Sequence, residues 1–415
     1  MVELVRELSA QTDAQKMVTD FGDRFQRMFE YEGFLALSRR NLDAPRYRVT
    51  RSSRWEKTVN PWKQNDQLPV LEGGLLGELL YGDLPVLDND FHPDPADPGF
   101  EHLQGYRSFM AVPHYHGGIG TNMAINFASE PDAFDPKAFA DHVLTHNLFG
   151  RTTNNMVLSQ QLKAANDALD AELKTVGDIQ RSLLPETLPD IPGLELAAHY
   201  QTARRAGGDY YDFFPQPGGR FGVLIADVSG HGTPAAVVMA ATHAVAHAYT
   251  GADAAHPCAP CEMLGYLNER LTGRYDVDGV IFVTAWYGVY DPQTRIVEYA
   301  AAGHPSPRVS RAGEVLKLDR TGGLPLGITP HARYETKTFT LQAGDGLLLF
   351  TDGITEAFSP QRRQYGEDRL DAVLAQQPAN QAPGERLGAV LADLEAFTEQ
   401  TPADDDRTLL AARVG

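Results

Sequence analysis

The stretch that decides the fold runs from Gly207 to Gly232 and contains GGDYYD (207–212), FGVLIA (221–226) and DVSGHG (227–232). The middle run is short and apolar, as expected for a buried strand. Acidic residues lie on both sides of it beside glycines, which let the backbone approach a ligand closely. Carboxylates at the end of a buried strand suit a hard cation such as Mg²⁺ or Mn²⁺. The stretch therefore predicts a divalent-metal site at a strand end.

Two further acidic motifs occur in the same half of the chain. Asp352 follows the apolar run LLLF (347–350), and Asp405 and Asp406 precede the last predicted strand. Asp and Gly also gather in turns because turns favour them, and this would explain a single motif. Three such motifs indicate instead that their carboxylates converge on one metal centre.

Length and charge limit the classes of protein to consider. The chain has 415 residues, enough for two or three domains with cores of their own. No apolar run approaches the length of a membrane span and the first residues lack a signal-peptide pattern, so we expect a cytoplasmic protein. The net charge of -19 argues against nucleic acid and anionic membranes as partners, and it is compatible with cation binding.

The two cysteines, Cys258 and Cys261, form the motif Cys-Ala-Pro-Cys. This spacing occurs in half zinc sites and in redox pairs. The sequence has no second cysteine pair, and the motif opens a predicted helix. A functional role is therefore the weaker interpretation.

Residues 1–150 are predicted to form a first α/β domain. Residues 1 to about 30 have the apolar spacing of an amphipathic helix, and the segment after them mixes short strand patterns with one helix pattern. The strand candidates are 34–38, 46–50, 106–113 and 121–127, and the helix candidates are 74–80 and a closing helix after Phe134.

This order resembles a GAF domain, a sensor fold that binds a small molecule or a protein. The family pattern has a Ser-x4-Pro strand, a glycine turn and a phenylalanine before the last helix. Ser108, Pro113, Gly117, Gly118 and Phe134 represent it here. The resemblance implies a small-molecule or protein ligand that the sequence does not identify.

His114 and His116 lie two residues apart in the third strand candidate, so regular alternation would place both on one strand face. They are candidates for metal or haem ligands. Exposed strand histidines are the more common explanation.

Residues 151–187 are predicted to form a coiled-coil signalling helix. From about 155 to 184, apolar residues recur at alternating spacings of three and four, interrupted only at Glu172. The seam consists of Leu158, Leu162, Ala165, Leu169, Val176, Ile179 and Leu183. This pattern predicts a two-stranded coiled coil and hence a homodimer, and the alternative is a single helix packed on its own domain. Pro185 ends the helix.

Residues 188–415 are predicted to form an α+β domain of two packed sheets with helices outside. Strand candidates alternate with turn signals, mostly as antiparallel neighbours. The strand candidates are 194–200, 221–226, 280–290, 296–302, 307–310, 315–318, 334–341, 346–350 and 408–414, and the helix candidates are 233–249, 261–271 and 384–399.

This half resembles the metal-dependent (PPM-type) protein phosphatases, in the bacterial SpoIIE-like branch of stage II sporulation and sigma-regulation phosphatases. The resemblance rests on eight motifs, which occur in the family's order and are spread along the whole domain. They are IQRSLLP (179–185), GGDYYD (207–212), ADVSGHG (226–232), FVTAW (282–286), AGHP (302–305), GLPLG (323–327), FTDGITE (350–356) and DDRT (405–408). The resemblance implies a two-sheet sandwich that holds two Mn²⁺ or Mg²⁺ ions.

Carried over by position, the resemblance assigns the two ions to Asp209, Asp227, the Val228 carbonyl, Asp352 and Asp405, with Asp227 in the bridging place. Four carboxylates balance the charge of two divalent cations. A water bridging the metals would attack a phosphoserine or phosphothreonine in line, without a covalent enzyme intermediate. Asp209 and Asp227 are thus the expected catalytic residues.

Two histidines within these motifs have alternative interpretations. His231 lies two positions beyond the histidine of eukaryotic relatives, and Ser229 falls in that place. We therefore expect His231 to be structural rather than a general acid. We expect the same of His304.

Three arginines also lie next to the motifs. Arg204 and Arg205 precede the glycines, and phosphate binding and an exposed charge pair are equally compatible with their position. Arg407 stands where the family usually has a branched apolar residue, and we expect a surface variation there.

The leading hypothesis is a metal-dependent protein serine/threonine phosphatase that the N-terminal sensor regulates through the helix. Its expected substrate is a phosphorylated anti-sigma-factor antagonist. The alternative is a catalytically weak or inactive sensor or scaffold protein, but degenerate relatives lose ligand aspartates and all four are present here. Hydrolysis of a small phosphoester is a third possibility.

Overall fold

The computed structural model describes residue 6 and residues 30–56, 59–61, 64–250, 259–275, 281–378 and 380–415. The chain divides into two compact units, Met1–Asn166 and Asp167–Gly415. The helix predicted over residues 1 to about 30 lies outside the described residues apart from Arg6, and Cys258 lies outside them as well. Within the described part, no helix is both long enough and apolar enough to cross a bilayer.

The first unit contains one antiparallel sheet of six strands in the order β3-β2-β1-β6-β5-β4. The strands are β1 (Gly33–Ser38), β2 (Arg46–Ser52), β3 (Val70–Glu72), β4 (Val86–Asp88), β5 (Ser108–His116) and β6 (Ile119–Ala128). The helices are α1 (Gly74–Gly82), α2 (Phe100–Leu103) and the first part of α3 (Phe139–Arg181).

Alternation along the strands of this unit separates two apolar faces. Leu35, Leu37 and Ile125 face a core that includes Leu76 and Leu80 of α1. Met110 and Val112 of β5 belong to a second cluster, together with Ala128 and Phe134. The four strands and the helix expected for residues 34–127 are thus confirmed, each to within a few residues.

The second unit contains two antiparallel sheets of five strands, in the orders β14-β11-β10-β9-β8 and β13-β12-β15-β16-β7. The strands of the first sheet are β8 (Tyr210–Gln216), β9 (Arg220–Val228), β10 (Val283–Asp291), β11 (Ile296–Ala302) and β14 (Lys337–Thr340). Those of the second are β7 (Leu194–Gln201), β12 (Arg308–Arg311), β13 (Glu314–Lys317), β15 (Gly346–Phe350) and β16 (Arg407–Val414). The helices are α4 (Thr233–Thr250), α5 (Pro260–Leu271), α6 (Asp352–Thr355), α7 (Glu367–Ala375) and α8 (Pro383–Thr398).

Strand β15 shows how the sheets of this unit are layered. Leu347 and Leu349 point into the main core with Trp286 of the first sheet, whereas Leu348 and Phe350 pack against a separate cluster that contains Leu394 of α8. Because both faces of the strand are covered, its sequence is an unbroken apolar run. The predicted two-sheet arrangement with helices outside is therefore what the second unit adopts.

The short elements β3, β4, α2 and α6 were not predicted, and three longer elements also differ from the prediction. The closing helix of the first unit and the linker helix are one continuous helix, α3, of 43 residues. Strand β8 was not predicted because Asp212 and Pro215 interrupt its apolar pattern. An edge strand tolerates proline because one side of its backbone needs no partner, and β8 is at the edge of its sheet. Helix α7 was also missed, and it begins directly after Gly366.

Candidate metal centre

The four predicted aspartates lie at neighbouring strand ends, two on each sheet. Asp209 immediately precedes β8 and Asp227 lies near the end of β9, and these antiparallel strands pair Tyr210 with Ala226. Asp352 follows β15 and Asp405 precedes β16, which is the neighbour of β15 in the second sheet. Strand ends from both sheets therefore supply the carboxylates, as their positions next to predicted strands indicated.

Asp209 joins the two sheets. Its side chain is 1% exposed, and its Oδ2 accepts hydrogen bonds from Thr351 Oγ1 at 2.8 Å and from Thr408 Oγ1 at 2.6 Å. Both threonines belong to the second sheet or its strand ends. The other carboxylate oxygen, Oδ1, is buried and has no hydrogen-bond partner among the residues that the structure describes. A buried carboxylate oxygen without a donor is costly unless something positive binds it, so Asp209 fits a metal ligand.

The electrostatics of the other three aspartates point the same way. Burial raises the pKa of Asp227 well above its usual range, and the nearby charges of Asp209, Asp352 and Asp405 raise it further. Burial and the charge of Asp405 raise the pKa of Asp352 to about 6. The pKa of Asp405 is also raised, mainly because its carboxyl is partly desolvated although the residue is exposed. These carboxylates repel one another, and bound cations would remove that cost.

The donor set of the four aspartates consists of oxygen atoms only. Within the described residues, no three of these aspartates bring oxygens within 4.8 Å of one another. Carboxylate oxygens are the ligands that Mg²⁺ and Mn²⁺ prefer. The chemistry of the donors therefore suits hard divalent cations.

The Val228 carbonyl lies against Gly208. A Cβ atom at residue 208 would lie 2.7 Å from the Val228 oxygen, and the Val228 amide donates to the Gly208 carbonyl at 3.3 Å. Only glycine permits this approach. The Gly207-Gly208 pair thus lets the loop before Asp209 lie directly against the end of β9.

Asp406, the neighbour of Asp405, has a different role. Its carboxylate accepts backbone hydrogen bonds from Ala203 at 2.8 Å, from Gly208 at 2.5 Å and from Asp209 at 3.4 Å. Asp406 therefore holds the loop that carries Asp209, whereas Asp405 is exposed and faces the other carboxylates. This contrast favours Asp405 as the ligand of the Asp-Asp-Arg-Thr motif.

Gln180, near the end of α3, was missed by the sequence reasoning. Its side chain is buried, its Oε1 accepts from the Gly207 amide at 2.9 Å, and its Nε2 donates to the Gly207 carbonyl. A Cβ atom at Gly177 would overlap the Arg205 carbonyl, so glycine allows the helix to lie directly on this loop. The end of α3 therefore contacts the loop that leads to Asp209.

The two motif histidines are placed differently. His304 is buried and its Nδ1 lies 2.9 Å from Thr284 Oγ1, and burial lowers its pKa to about 3. This environment agrees with the structural role expected of it. His231 is exposed and close enough to Asp405 to lower the pKa of that carboxyl slightly. Ser229 accepts a hydrogen bond from the Phe282 amide at 3.0 Å and so joins its loop to the start of β10.

The arginines correct one expectation. Arg205 forms a bidentate ion pair with Asp170 of α3, with both hydrogen bonds 2.9 Å long. Its guanidinium group therefore already has a carboxylate partner within the chain. Arg407 is not a surface variation, because it is only 7% exposed. It is the first residue of β16, a strand with neighbours on both sides, and burial lowers its pKa. Asp404 and Glu395 partly offset this effect.

In the first unit, His114 and His116 do not behave as a matched pair. A bulge between His114 and Tyr115 interrupts the alternation of β5. The His114 ring lies 5.8 Å from that of His146, and burial lowers the pKa of His114 to about 4, whereas His116 is exposed. Both line a cavity of about 560 Å³. Within the described residues neither belongs to a group of three metal-ligating side chains.

The comparisons with known proteins agree with this geometry. The family model of stage II sporulation protein E (SpoIIE) matches residues 217–415. The SiaA-PP2C domain of Pseudomonas aeruginosa superposes with a TM-score of 0.53 at 24% identity, over 61% of this chain and 98% of that chain, which supports the fold. Residues 217–415 therefore match the SpoIIE family model, the second unit has a PP2C-like fold, and the predicted resemblance of this half is confirmed.

Two curated relatives share this region. The phosphoserine phosphatase RsbU of Bacillus subtilis is 30% identical over 200 residues, covering 48% of this chain and 57% of the relative. Protein IcfG of Synechocystis sp. is 26% identical over 277 residues, covering 61% of this chain and 43% of the relative. The chain thus spans about half the length of these relatives. The GAF-like character of the first unit stays a prediction.

Proposed function

We propose that the chain is a metal-dependent protein phosphatase that hydrolyses phosphoserine or phosphothreonine on a partner protein. The observation that carries this proposal is the centre formed by Asp209, Asp227, Asp352 and Asp405, in which desolvation raises the pKa of every carboxyl and the charges of other carboxylates of the group raise those of Asp209, Asp227 and Asp352 further. The buried, partnerless Oδ1 of Asp209 favours catalysis over a scaffold role, because a scaffold gains nothing from such a costly group.

The residues of the proposed centre are of two kinds, namely metal ligands and residues that position those ligands. Asp209, Asp227, Asp352, Asp405 and the Val228 carbonyl would hold two Mn²⁺ or Mg²⁺ ions. Ions bound there would supply an activated water and would stabilise the charge on the phosphoryl oxygens. Thr351 and Thr408 fix one oxygen of Asp209 and leave the other for a metal. Asp406 and Gln180 fix the loop before it.

The proposed substrate is a phosphorylated anti-sigma-factor antagonist. This proposal rests on the resemblance of the eight motifs and on the similarity to a phosphoserine phosphatase. The exposed Asp405 and His231 place one side of the centre at the surface, where the side chain of a folded phosphoprotein can reach it.

We further propose that α3 transmits a signal from a GAF-like sensor to the metal centre in a homodimer. Four apolar side chains of the predicted seam are exposed in the single chain, namely Leu158, Leu162, Leu169 and Ile179. Their heptad spacing fits a second copy of the same helix. A shift of this helix would reach Asp209 through the contacts between Gln180 and Gly207.

The test is hydrolysis by the full chain of a phosphoserine peptide, a phosphothreonine peptide and a small aryl phosphate. The measurements are made after chelation and again with Mn²⁺ or Mg²⁺. We expect metal-dependent release of phosphate from the phosphopeptides. Release from the aryl phosphate alone would indicate a small-molecule phosphatase instead. No metal-dependent release from any substrate, in a folded and dimeric chain, would contradict the proposal.

A further inference from the structure

A second group of metal-ligating side chains lies between β8 and α4, apart from the four aspartates. It consists of Asp212 of β8 and of His243 and His247 of α4. The two histidines are four residues apart, so both side chains lie on one face of the helix. The spacing His-x3-His within a predicted helix was the sequence signal for this group, and the sequence reasoning did not use it.

The distances within the group fit a metal ion. Asp212 Oδ2 lies 2.8 Å from His247 Nε2 and 3.7 Å from His243 Nδ1, and one ligand atom of each residue lies within 4.8 Å of the others. A tetrahedral ion about 2.1 Å from each ligand requires ligand atoms roughly 3.4 Å apart. The observed separations lie on either side of that value, so small side-chain rotations would complete the geometry.

Neighbouring groups orient the carboxylate of Asp212. The Phe213 amide donates to Asp212 Oδ1 at 2.7 Å, and the Tyr210 hydroxyl donates to Oδ2 at 2.7 Å. Burial and the charge of Asp212 raise the pKa of Tyr210, so this hydroxyl stays protonated. Outer hydrogen bonds of this kind are what fixes the ligands of metal sites.

We propose that Asp212, His243 and His247 bind a transition-metal ion, most suitably Zn²⁺, at a site separate from the catalytic centre. Two imidazoles and a carboxylate are ligands typical of zinc, whereas Mg²⁺ and Mn²⁺ prefer oxygen. Three protein ligands leave a fourth position for water. The exposed fractions of the side chains rise from 10% for Asp212 to 24% for His243 and 48% for His247, so an ion can enter from the His247 side.

Such an ion would have a structural effect on the segments next to the carboxylate centre. Helix α4 begins five residues after Val228, and β8 begins directly after Asp209. An ion held by Asp212 and by two turns of α4 would join the helix to the strand. It would stabilise the segments on either side of the catalytic centre without taking part in hydrolysis. The inference does not depend on the proposed phosphatase activity.

The test is metal binding by the full chain after chelation, in excess Mg²⁺ to occupy the carboxylate centre. Zn²⁺ is measured by equilibrium dialysis, and Co²⁺ is used as a probe because four-coordinate Co²⁺ absorbs visible light far more strongly than six-coordinate Co²⁺. We expect one Zn²⁺ per chain and the strong Co²⁺ spectrum. Loss of an outer-shell partner typically weakens metal binding about 10- to 100-fold, so His247→Gln should weaken it at least about a hundredfold.

The matched control is His331→Gln, which changes an exposed histidine outside the group and should bind Zn²⁺ as the wild type does. Zn²⁺ should raise the melting temperature of the wild type and of this control but not of His247→Gln. Should His247→Gln fail to fold, Asp212→Asn and His243→Gln provide the same comparison. Equal Zn²⁺ affinity in the wild type and in the folded variants would overturn the proposal. So would a wild type that binds no Zn²⁺, which would leave the three side chains as a purely hydrogen-bonded group.

Discussion

Asp209 and Asp212 lie three residues apart at the start of one strand, yet their carboxylates have opposite surroundings. Asp212 uses both oxygens, with the Phe213 amide on one and the Tyr210 hydroxyl and His247 on the other. Asp209 has two threonine hydroxyls on one oxygen and, among the described residues, no partner on the other, and the carboxylates of Asp406 and Asp352 are close to it.

The comparison shows how residue type alone misleads about metal preference. Asp209 belongs to an oxygen-only group whose repulsion a hard divalent cation would relieve. Asp212 belongs to a group with two histidine nitrogens. Its carboxylate is already stabilised by hydrogen bonds from the Phe213 amide, the Tyr210 hydroxyl and His247. Asp209, just before β8, and Asp212, within β8, are therefore expected to favour two different classes of ion, and the experiments below test this contrast.

The largest expected effect is the loss of activity in Asp227→Asn. Removing this proposed metal ligand should cost about 4 kcal/mol of transition-state stabilisation, which is on the order of a thousandfold in rate. The rate is measured at saturating Mn²⁺, with Asp404→Asn as the control because Asp404 is exposed and outside the centre. A folded Asp227→Asn chain within about tenfold of the wild type would remove Asp227 from the catalytic centre.

The second prediction separates the three consecutive aspartates. Asp405→Ala should weaken Mn²⁺ binding most, on the order of a hundredfold, because it removes a ligand. Asp406→Ala should instead lower the free energy of unfolding by about 3 kcal/mol, because it leaves buried backbone amides without an acceptor. Asp404→Ala should change neither quantity.

Calorimetric Mn²⁺ titration and urea unfolding of the same three variants measure both quantities. If Asp404→Ala or Asp406→Ala weakens Mn²⁺ binding more than Asp405→Ala does, the ligand has been assigned to the wrong aspartate.

The motifs of the candidate metal centre could be found in the sequence because their signals are local. Each candidate aspartate follows or precedes an apolar run and lies beside glycine or another aspartate, so the motifs that contain Asp209, Asp227, Asp352 and Asp405 could be found one at a time, whereas the choice of Asp405 over Asp406 came from the family resemblance. Most of the β-strands could be predicted for the same reason, since alternation and turn residues are properties of short segments.

The supporting contacts could not be predicted, because they join distant parts of the chain. Thr408 lies 199 residues from Asp209, and Asp406 lies 198 residues from Gly208. The burial of Arg407 likewise depends on the strands on either side of β16 and on α8. No local pattern distinguishes Asp406 from Asp405, although one holds the backbone and the other faces the carboxylates.

The third prediction concerns a histidine that lacks the carboxylate partner of His247. The Nδ1 of His304 faces Thr284, and burial lowers its pKa to about 3, far below the unfolded value of about 6.5. The unfolded chain therefore binds more protons between these values, so the stability from this site is present above about pH 6.5 and is lost as the pH falls toward 3. Between pH 7 and pH 5 the loss should be about 2 kcal/mol.

The measurement is urea unfolding of the wild type and of His304→Asn at both pH values. The variant keeps a hydrogen-bonding group for Thr284 but cannot titrate. Between pH 7 and pH 5, its free energy of unfolding should therefore fall by about 2 kcal/mol less than that of the wild type. If the stability of the two proteins depended equally on pH, burial would not lower the pKa of His304 as expected.

The smallest expected effect concerns the seam of α3. Leu162→Glu combined with Leu169→Glu places two charges on the exposed apolar stripe and should prevent pairing with a second copy. The control is Ala164→Glu combined with Ala171→Glu, which adds the same charge at the same spacing on the opposite side of the helix, where both alanines are exposed. Sedimentation at micromolar concentration should show a dimer for the wild type and the control, and a monomer for the seam variant.

Activity then tests whether this helix reaches the metal centre. Gln180 connects its end to Gly207, so a change in pairing should alter the position of the Asp209 loop and change Mn²⁺-dependent activity several-fold, about 1 kcal/mol. Gln180→Ala should reduce the difference between the seam variant and the wild type, since it removes this connection. A wild type that sediments as a monomer would contradict the dimer, because the seam would then have no second copy to cover it. Unchanged activity in a monomeric seam variant would contradict a signalling role for the helix. The geometry of the metal centre would then depend only on the two sheets that carry its aspartates.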